Sequence, residues 1–139
     1  MSELVELLKR AIKKLEEPRR EELQAALTEL KSIDISSAVQ SGIAASGRGA
    51  IYQLRRAFYA RLSRLVKEEG VNKERSVEEW RKTAGTLIDF MNEKGLDKVP
   101  CKVVLSYEVA EENGVKYLRF TRARIYYFGI EGVETLDFA

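Results

Sequence analysis

Apolar positions recur every three or four residues through the first two thirds of the chain and every second residue through the last third. Val5, Leu8, Ile12 and Leu15, widened by Leu4 and Ala11, mark one face of a helix for which Ser2 is a candidate N-cap. Pro18 cannot extend that ladder but suits the first turn of a second helix, with Leu23, Leu27 and Leu30 on its buried face. The two form a predicted hairpin. Residues 32–50, SIDISSAVQSGIAASGRGA, read either as a loop or as a helix of small residues. Ala38, Gly42 and Ala45 would admit a second backbone there, and Gly47 and Gly49 suit a turn. Ile51, Leu54, Phe58, Leu62 and Leu65 then make the clearest stripe of the chain, a helix over 50–69 stopped by Gly70. Ser76 and Glu79 have capping-box spacing for the next helix, 76–94, with Val77, Trp80, Ala84, Leu87 and Met91 inward and Gly95 at its end.

Beyond that point the period falls to two. CKVVLSYEVA and VKYLRFTRARIYYF are predicted strands joined by Asn113-Gly114, the pair favoured in a two-residue type I′ turn. A tight turn sets Ala110 opposite Tyr117, Glu108 opposite Arg119 and Tyr107 opposite Phe120, all favourable partners. Gly129 and Gly132 suit a further turn, with VETLDF returning as a short third strand. The expected fold is one α+β domain over 1–139: about four helices, within 1–97, packed on one face of a small antiparallel sheet within 99–138.

Continued without interruption, that register places Leu105 opposite Arg122 and Val103 opposite Arg124. Burying either guanidinium without a partner costs several kcal/mol. Two solutions exist. A bulge near Thr121-Arg122 would send Ala123, Ile125 and Tyr127 to the core and Arg122, Arg124 and Tyr126 outward. Without a bulge, the face itself must stay open. Either way Arg122, Arg124, Tyr126 and Phe128 share an accessible surface.

The 24 basic and 22 acidic residues leave a net charge of only +2, but they are unevenly placed. Residues 1–31 are balanced, with seven of each sign. Residues 48–67 carry six basic and no acidic side chains, and 115–130 carry four and none. In the first stretch Tyr52, Arg55, Arg56 and Tyr59 share a helix face, with Arg48 at its start. In the second, Arg119 precedes the Arg122, Arg124, Tyr126 and Phe128 set. Arginine forks hold phosphate oxygens while flat rings accept unpaired bases, so this pairing suits single-stranded nucleic acid better than duplex. The opposing reading is structural: aromatics fill the core, and acids on helix 76–94 neutralise the basic helix.

Other chemistry is sparse. There is no histidine, and the single cysteine, Cys101, allows no intramolecular disulfide. Lys98 and Lys102 beside Cys101 would lower its pKa, although the start of a strand suits a packing thiol. GIAASGRG (42–49) has the outline of a phosphate loop but no Lys or hydroxyl residue at its end; its glycine amides and Arg48 suit at most one backbone phosphate. Trp80 fits the core. The scattered aspartates suggest no metal centre, and the expectation is a non-enzymatic protein with no catalytic residues, cofactor or metal. No apolar run approaches the roughly 20 residues of a membrane span, and the opening MSELVELLKR is unlike a secretory signal, so a cytoplasmic protein is expected. Three Asn and three Gln against a third of residues charged suit a heat-adapted protein.

The leucine-bearing helices, the tryptophan helix SVEEWRKTAGTLIDFM and the basic, aromatic strand YLRFTRARIYYF together resemble the archaeal single-stranded-DNA-binding family ThermoDBP and its shorter relatives. The resemblance implies an α+β domain, self-association, and capture of single-stranded DNA, in preference to RNA, in a basic groove with apolar lining. It assigns phosphate contact to Arg122 and Arg124 and stacking to Tyr126 and Phe128. The residues hold no heptad segment, so a homo-oligomer would form through the sheet edge, the N-terminal helices or the small-residue stretch. Two alternatives stand beside it: an adaptor module docking an acidic protein, and an RNA-binding subunit of a larger particle.

Overall fold

The computed structural model describes residues 2–14, 21–25, 27–28, 35–130 and 132–138. The fold is α+β, and the chain divides into two compact units, Met1–Ser37 and Ala38–Ala139. In the first, helix α1 (Ser2–Lys14) buries Leu4 and Leu8, residues 21–25 and 27–28 are helical with Leu27 buried, and Ile35–Ser37 form a 3-10 turn. Pro18 and the turn of the predicted hairpin lie outside the described residues.

The second unit contains β1 (Ala38–Gln40), α2 (Gly47–Glu69), α3 (Lys73–Glu93), β2 (Cys101–Glu112) and β3 (Val115–Tyr127). The sheet is antiparallel in the order β1-β2-β3. Asn113 and Gly114 both have positive φ, 53° and 79°, as a type I′ turn requires. The three pairs predicted beside that turn are present. The register then shifts: Tyr107 pairs with Phe120 but Ser106 with Arg122, leaving Thr121 as the extra residue of a bulge. Leu105 therefore meets Ala123 and Val103 meets Ile125, and the buried-arginine pairs are avoided.

Alternate residues of β2, namely Cys101, Val103, Leu105 and Tyr107, join the α2 stripe and Trp80, Leu87 and Met91 of α3 in one core, so both helices cover the same face of the sheet. At its centre Phe58, fully buried, stacks on Trp80 at 5.0 Å and 12°. Trp80 is a core residue, as its spacing suggests.

Several boundaries differ from expectation, each for a local reason. The third strand is β1, on the opposite side of β2 from β3, and not 133–138, which has no regular structure and is exposed. β2 recruits the small-residue stretch by backbone pairing that continues past β1: Ser41 N–H donates to Val103 O (2.9 Å), and Ala44 and Cys101 exchange bonds of 2.9 and 3.0 Å. Helix α2 begins at Gly47, not after Gly49, because Ser46 caps it by accepting from Gly49 N–H (3.1 Å). Gly47 is required there by a close approach, since a Cβ would stand 2.4 Å from Leu96 O. Gly70 ends the helix in the left-handed region as predicted, at φ 66°. Helix α3 is capped by Asn72, whose side chain accepts from Arg75 N–H (2.7 Å), so Ser76 is not an N-cap. Ser76 is instead fully buried, its hydroxyl donating to Asn72 O (2.7 Å) and accepting from Leu118 N–H (3.0 Å), which fastens the helix to the β3 edge.

The other sheet face is less open than predicted. Val104 and Lys102 on central strand β2 are buried, and Lys102 Nζ donates to Ser41 O (2.5 Å).

Candidate nucleic-acid interface

On α2 the residues singled out by spacing are brought together. Arg48, Tyr52, Arg55 and Arg56 are exposed and Tyr59 is half-buried. At 1.5 Å per residue, positions 48 to 59 form a stripe roughly 16 Å long. Tyr52 is 60% exposed, enough to offer a ring face, and the Arg55 guanidinium lies 5.7 Å from the centroid of the Tyr59 ring. Neutralisation by α3 is not observed among the described residues: Glu78 and Glu79 pair with Arg75 of their own helix, and Arg64 pairs with Glu68 within α2 (3.8 Å). Arg48, Arg55 and Arg56 have no carboxylate partner among the described residues.

On β3 the predicted set is divided. Arg119 is committed to its cross-strand partner: Nε donates to Glu108 Oε1 (2.8 Å), and that bond raises the guanidinium pKa above its ordinary value. Arg124 and Tyr126 are half-buried opposite Val104 and Lys102, on the sheet face away from α2 and α3. Phe128 lies just past the strand, half-buried, its N–H donating to Pro100 O (3.0 Å). Of Arg122, Arg124, Tyr126 and Phe128, Arg122 alone is exposed.

Arg122 belongs to a groove that sequence spacing did not single out. The bulge was expected to send Ala123, Ile125 and Tyr127 to the core; Ile125 is half-buried, but Ala123 and Tyr127 are exposed. Helix α3 covers β3 only in part, leaving a cleft of about 430 Å³ bounded by Lys82, Thr86 and Phe90 on the helix and Phe120, Arg122 and Ile125 on the strand. A second hollow of about 460 Å³ shares Phe90, Ala123 and Ile125 and extends the cleft to Lys94 and Tyr127. Phe90 and Tyr127 are 45% and 66% exposed, an unusual cost for rings unless something covers them. Lys94 Nζ sits 5.7 Å from the Phe90 ring centroid. Lysine and arginine are the charged residues of the lining, with no carboxylate among them. Lys82, Thr86 and Phe90 follow an i, i+4, i+8 spacing on α3, the one signal in the sequence that points to this wall.

Comparisons with family models, curated proteins and solved structures found no match. The candidate interface therefore rests on its own chemistry.

Two of the glycine amides expected to make a phosphate contact before α2, and the Arg48 amide, are engaged within the chain. Gly49 N–H donates to the Ser46 hydroxyl, Arg48 N–H to Asp97 O (3.3 Å) and Gly42 N–H to Gln53 Oε1 (2.8 Å). The Arg48 side chain remains exposed. Among the described residues no three His, Cys, Asp or Glu side chains form a metal-binding group, and no helix is long and apolar enough to cross a membrane.

Cys101 corrects another expectation. The neighbouring lysines do not lower its pKa; burial raises it, because the thiol is fully enclosed and its thiolate would lose water. A group held neutral in the fold favours the native state at low pH. That advantage is present below the thiol's ordinary pKa near 9 and is lost as pH rises through the higher folded value. Native protein at pH 8 should accordingly react with a thiol reagent only as fast as it unfolds, with full reactivity appearing in denaturant; rapid native labelling would contradict this burial.

Proposed function

We propose that the chain binds single-stranded nucleic acid, without an enzymatic step and with little sequence preference. The observation that carries the reading is the α3–β3 groove, where Lys82, Lys94 and Arg122 flank the open rings of Phe90 and Tyr127 and no carboxylate lines the wall. Cations along a groove hold a phosphate backbone, while the rings accept base faces regardless of identity. The α2 stripe of Arg48, Tyr52, Arg55 and Arg56 repeats that chemistry on a second surface. A duplex is a poorer fit, since its bases are already stacked and neither surface presents a helix rich in base-reading amides. The resemblance to ThermoDBP proteins favours DNA over RNA.

Three groove cations neutralising three phosphates give a log–log salt slope near −2, at about 0.7 counterions per contact on single strands. Anisotropy titrations with labelled single-stranded DNA, duplex DNA and RNA of equal length at several salt concentrations test this. Tightest binding to a single strand with that slope is expected. A salt-independent response, or equal affinity for the duplex, would overturn the reading.

A further inference from the structure

We infer that segment 130–138 of the chain folds back into the α3–β3 groove of the same molecule and competes there with the nucleic acid. Ile130, Val133, Leu136 and Phe138 are 90%, 81%, 75% and 92% exposed, far more than apolar side chains tolerate without a surface to cover. Between them stand Glu131, Glu134 and Asp137, and the segment contains no basic residue. The groove is its complement in both respects: an apolar floor of Leu87, Phe120 and Ile125, rimmed by Lys82, Lys94 and Arg122.

Connectivity favours the same molecule over a second copy. Tyr127 lines the groove and is the last residue of β3, so the segment leaves the strand at the groove's own mouth. Thr121 lines the far part, roughly 20 Å back along the strand at about 3.3 Å per residue. The chain from Gly129 to Leu136 reaches at most roughly 28 Å, enough to return over it. Gly129 and Gly132 allow the reversal, and a link this short holds the segment at an effective concentration of order millimolar. The side chains that drive docking are the ones that stand exposed when the segment is released, and the carboxylates of Glu134 and Asp137 would meet cations that a phosphate backbone would otherwise hold.

Docking does not depend on the nucleic-acid reading; the competition does, and two measurements separate them. In amide NMR spectra of the full chain, Leu136→Ala/Phe138→Ala should shift the signals of Thr86, Phe90, Ala123 and Ile125 as well as those of the segment. The substituted side chains are exposed, so the fold is retained. Changes confined to 130–138 would overturn docking. Groove signals that move on dilution of the unsubstituted chain would identify a second copy as occupant, and would overturn the intramolecular proposal. If the segment occupies the groove about nine tenths of the time, the same variant should bind a single-stranded oligonucleotide about tenfold more tightly. Shifted groove signals with unchanged affinity would remove the competition and leave the docking; an oligonucleotide bound by neither protein would remove the nucleic-acid reading, with the spectra still deciding docking.

Discussion

Phe58→Ala is expected to lower the unfolding free energy by about 3–5 kcal/mol, the largest effect of any single truncation in the Ala38–Ala139 unit. The ring is fully buried and touches three others: Trp80 face to face at 5.0 Å, Tyr59 edge-on at 5.1 Å and Phe120 at 5.7 Å. Those partners come from α3, α2 and β3, so the cavity opens where all three elements meet and no one of them can collapse to fill it. Phe58→Leu, which keeps most of the volume, should cost much less. Urea or guanidinium denaturation of both variants gives the comparison; a loss below about 1 kcal/mol for the alanine variant would mean that the aromatic cluster is not the packing centre. The same cavity should reach the groove, since Phe120 forms part of its floor, and a variant that still folds should bind oligonucleotide more weakly without losing any charge.

How far this arrangement could be read in the sequence depends on which interactions are local. The hairpin was legible because Asn113-Gly114 dictates its own turn and alternation fixes the faces. The bulge was one of two solutions open in the sequence, because carrying the register past Phe120 would have buried Arg122 and Arg124 unless the face stayed open; the structure takes the inserted residue, which removes both penalties. Helix α2 was legible from its stripe and from Gly70. Strand β1 was not: three residues within a Ser- and Gly-rich stretch have no period of their own, and the strand exists because β2 offers unpaired backbone. Ser76 misled for a related reason. Its spacing to Glu79 imitates a capping box, whereas its hydroxyl is engaged by Leu118, 42 residues away.

The candidate interface was legible in the same uneven way. On α2, charge and ring spacing along one helix placed Arg48, Tyr52, Arg55 and Arg56 together on one exposed side. On β3, alternation separated Ile125 from Arg124 and Tyr126 but gave neither their depth nor the place of Arg122 beside the cleft under α3. Whether Ala123 and Tyr127 are covered depends on where α3 stops across the sheet, and that is a matter of packing between distant elements. The groove arises from that incomplete cover, so Lys82, Phe90 and Lys94 could be joined to Arg122 only through the fold.

Lys82→Glu/Arg122→Glu should reduce affinity for single-stranded nucleic acid by about 100-fold or more at low salt, taking each lost charge-assisted contact at roughly 1.5–3 kcal/mol. Both side chains are exposed and neither has an ion-pair partner among the described residues, so the substitution removes no native ion pair and the circular dichroism spectrum should be unchanged. The neutral pair Lys82→Ala/Arg122→Ala separates charge from shape. With two phosphate contacts gone, the log–log salt slope should become shallower by about 1.4 while the preference for single strands is kept. Arg55→Glu/Arg56→Glu provides the comparison on α2: if the strand follows the groove alone, affinity falls only through long-range repulsion, and that loss disappears as salt shortens the screening length to about 8 Å at 0.15 M. Should the α2 pair abolish binding and the groove pair leave it intact, the polyanion lies along the basic helix and the open rings of Phe90 and Tyr127 serve something else, the segment 130–138 being the nearest claimant.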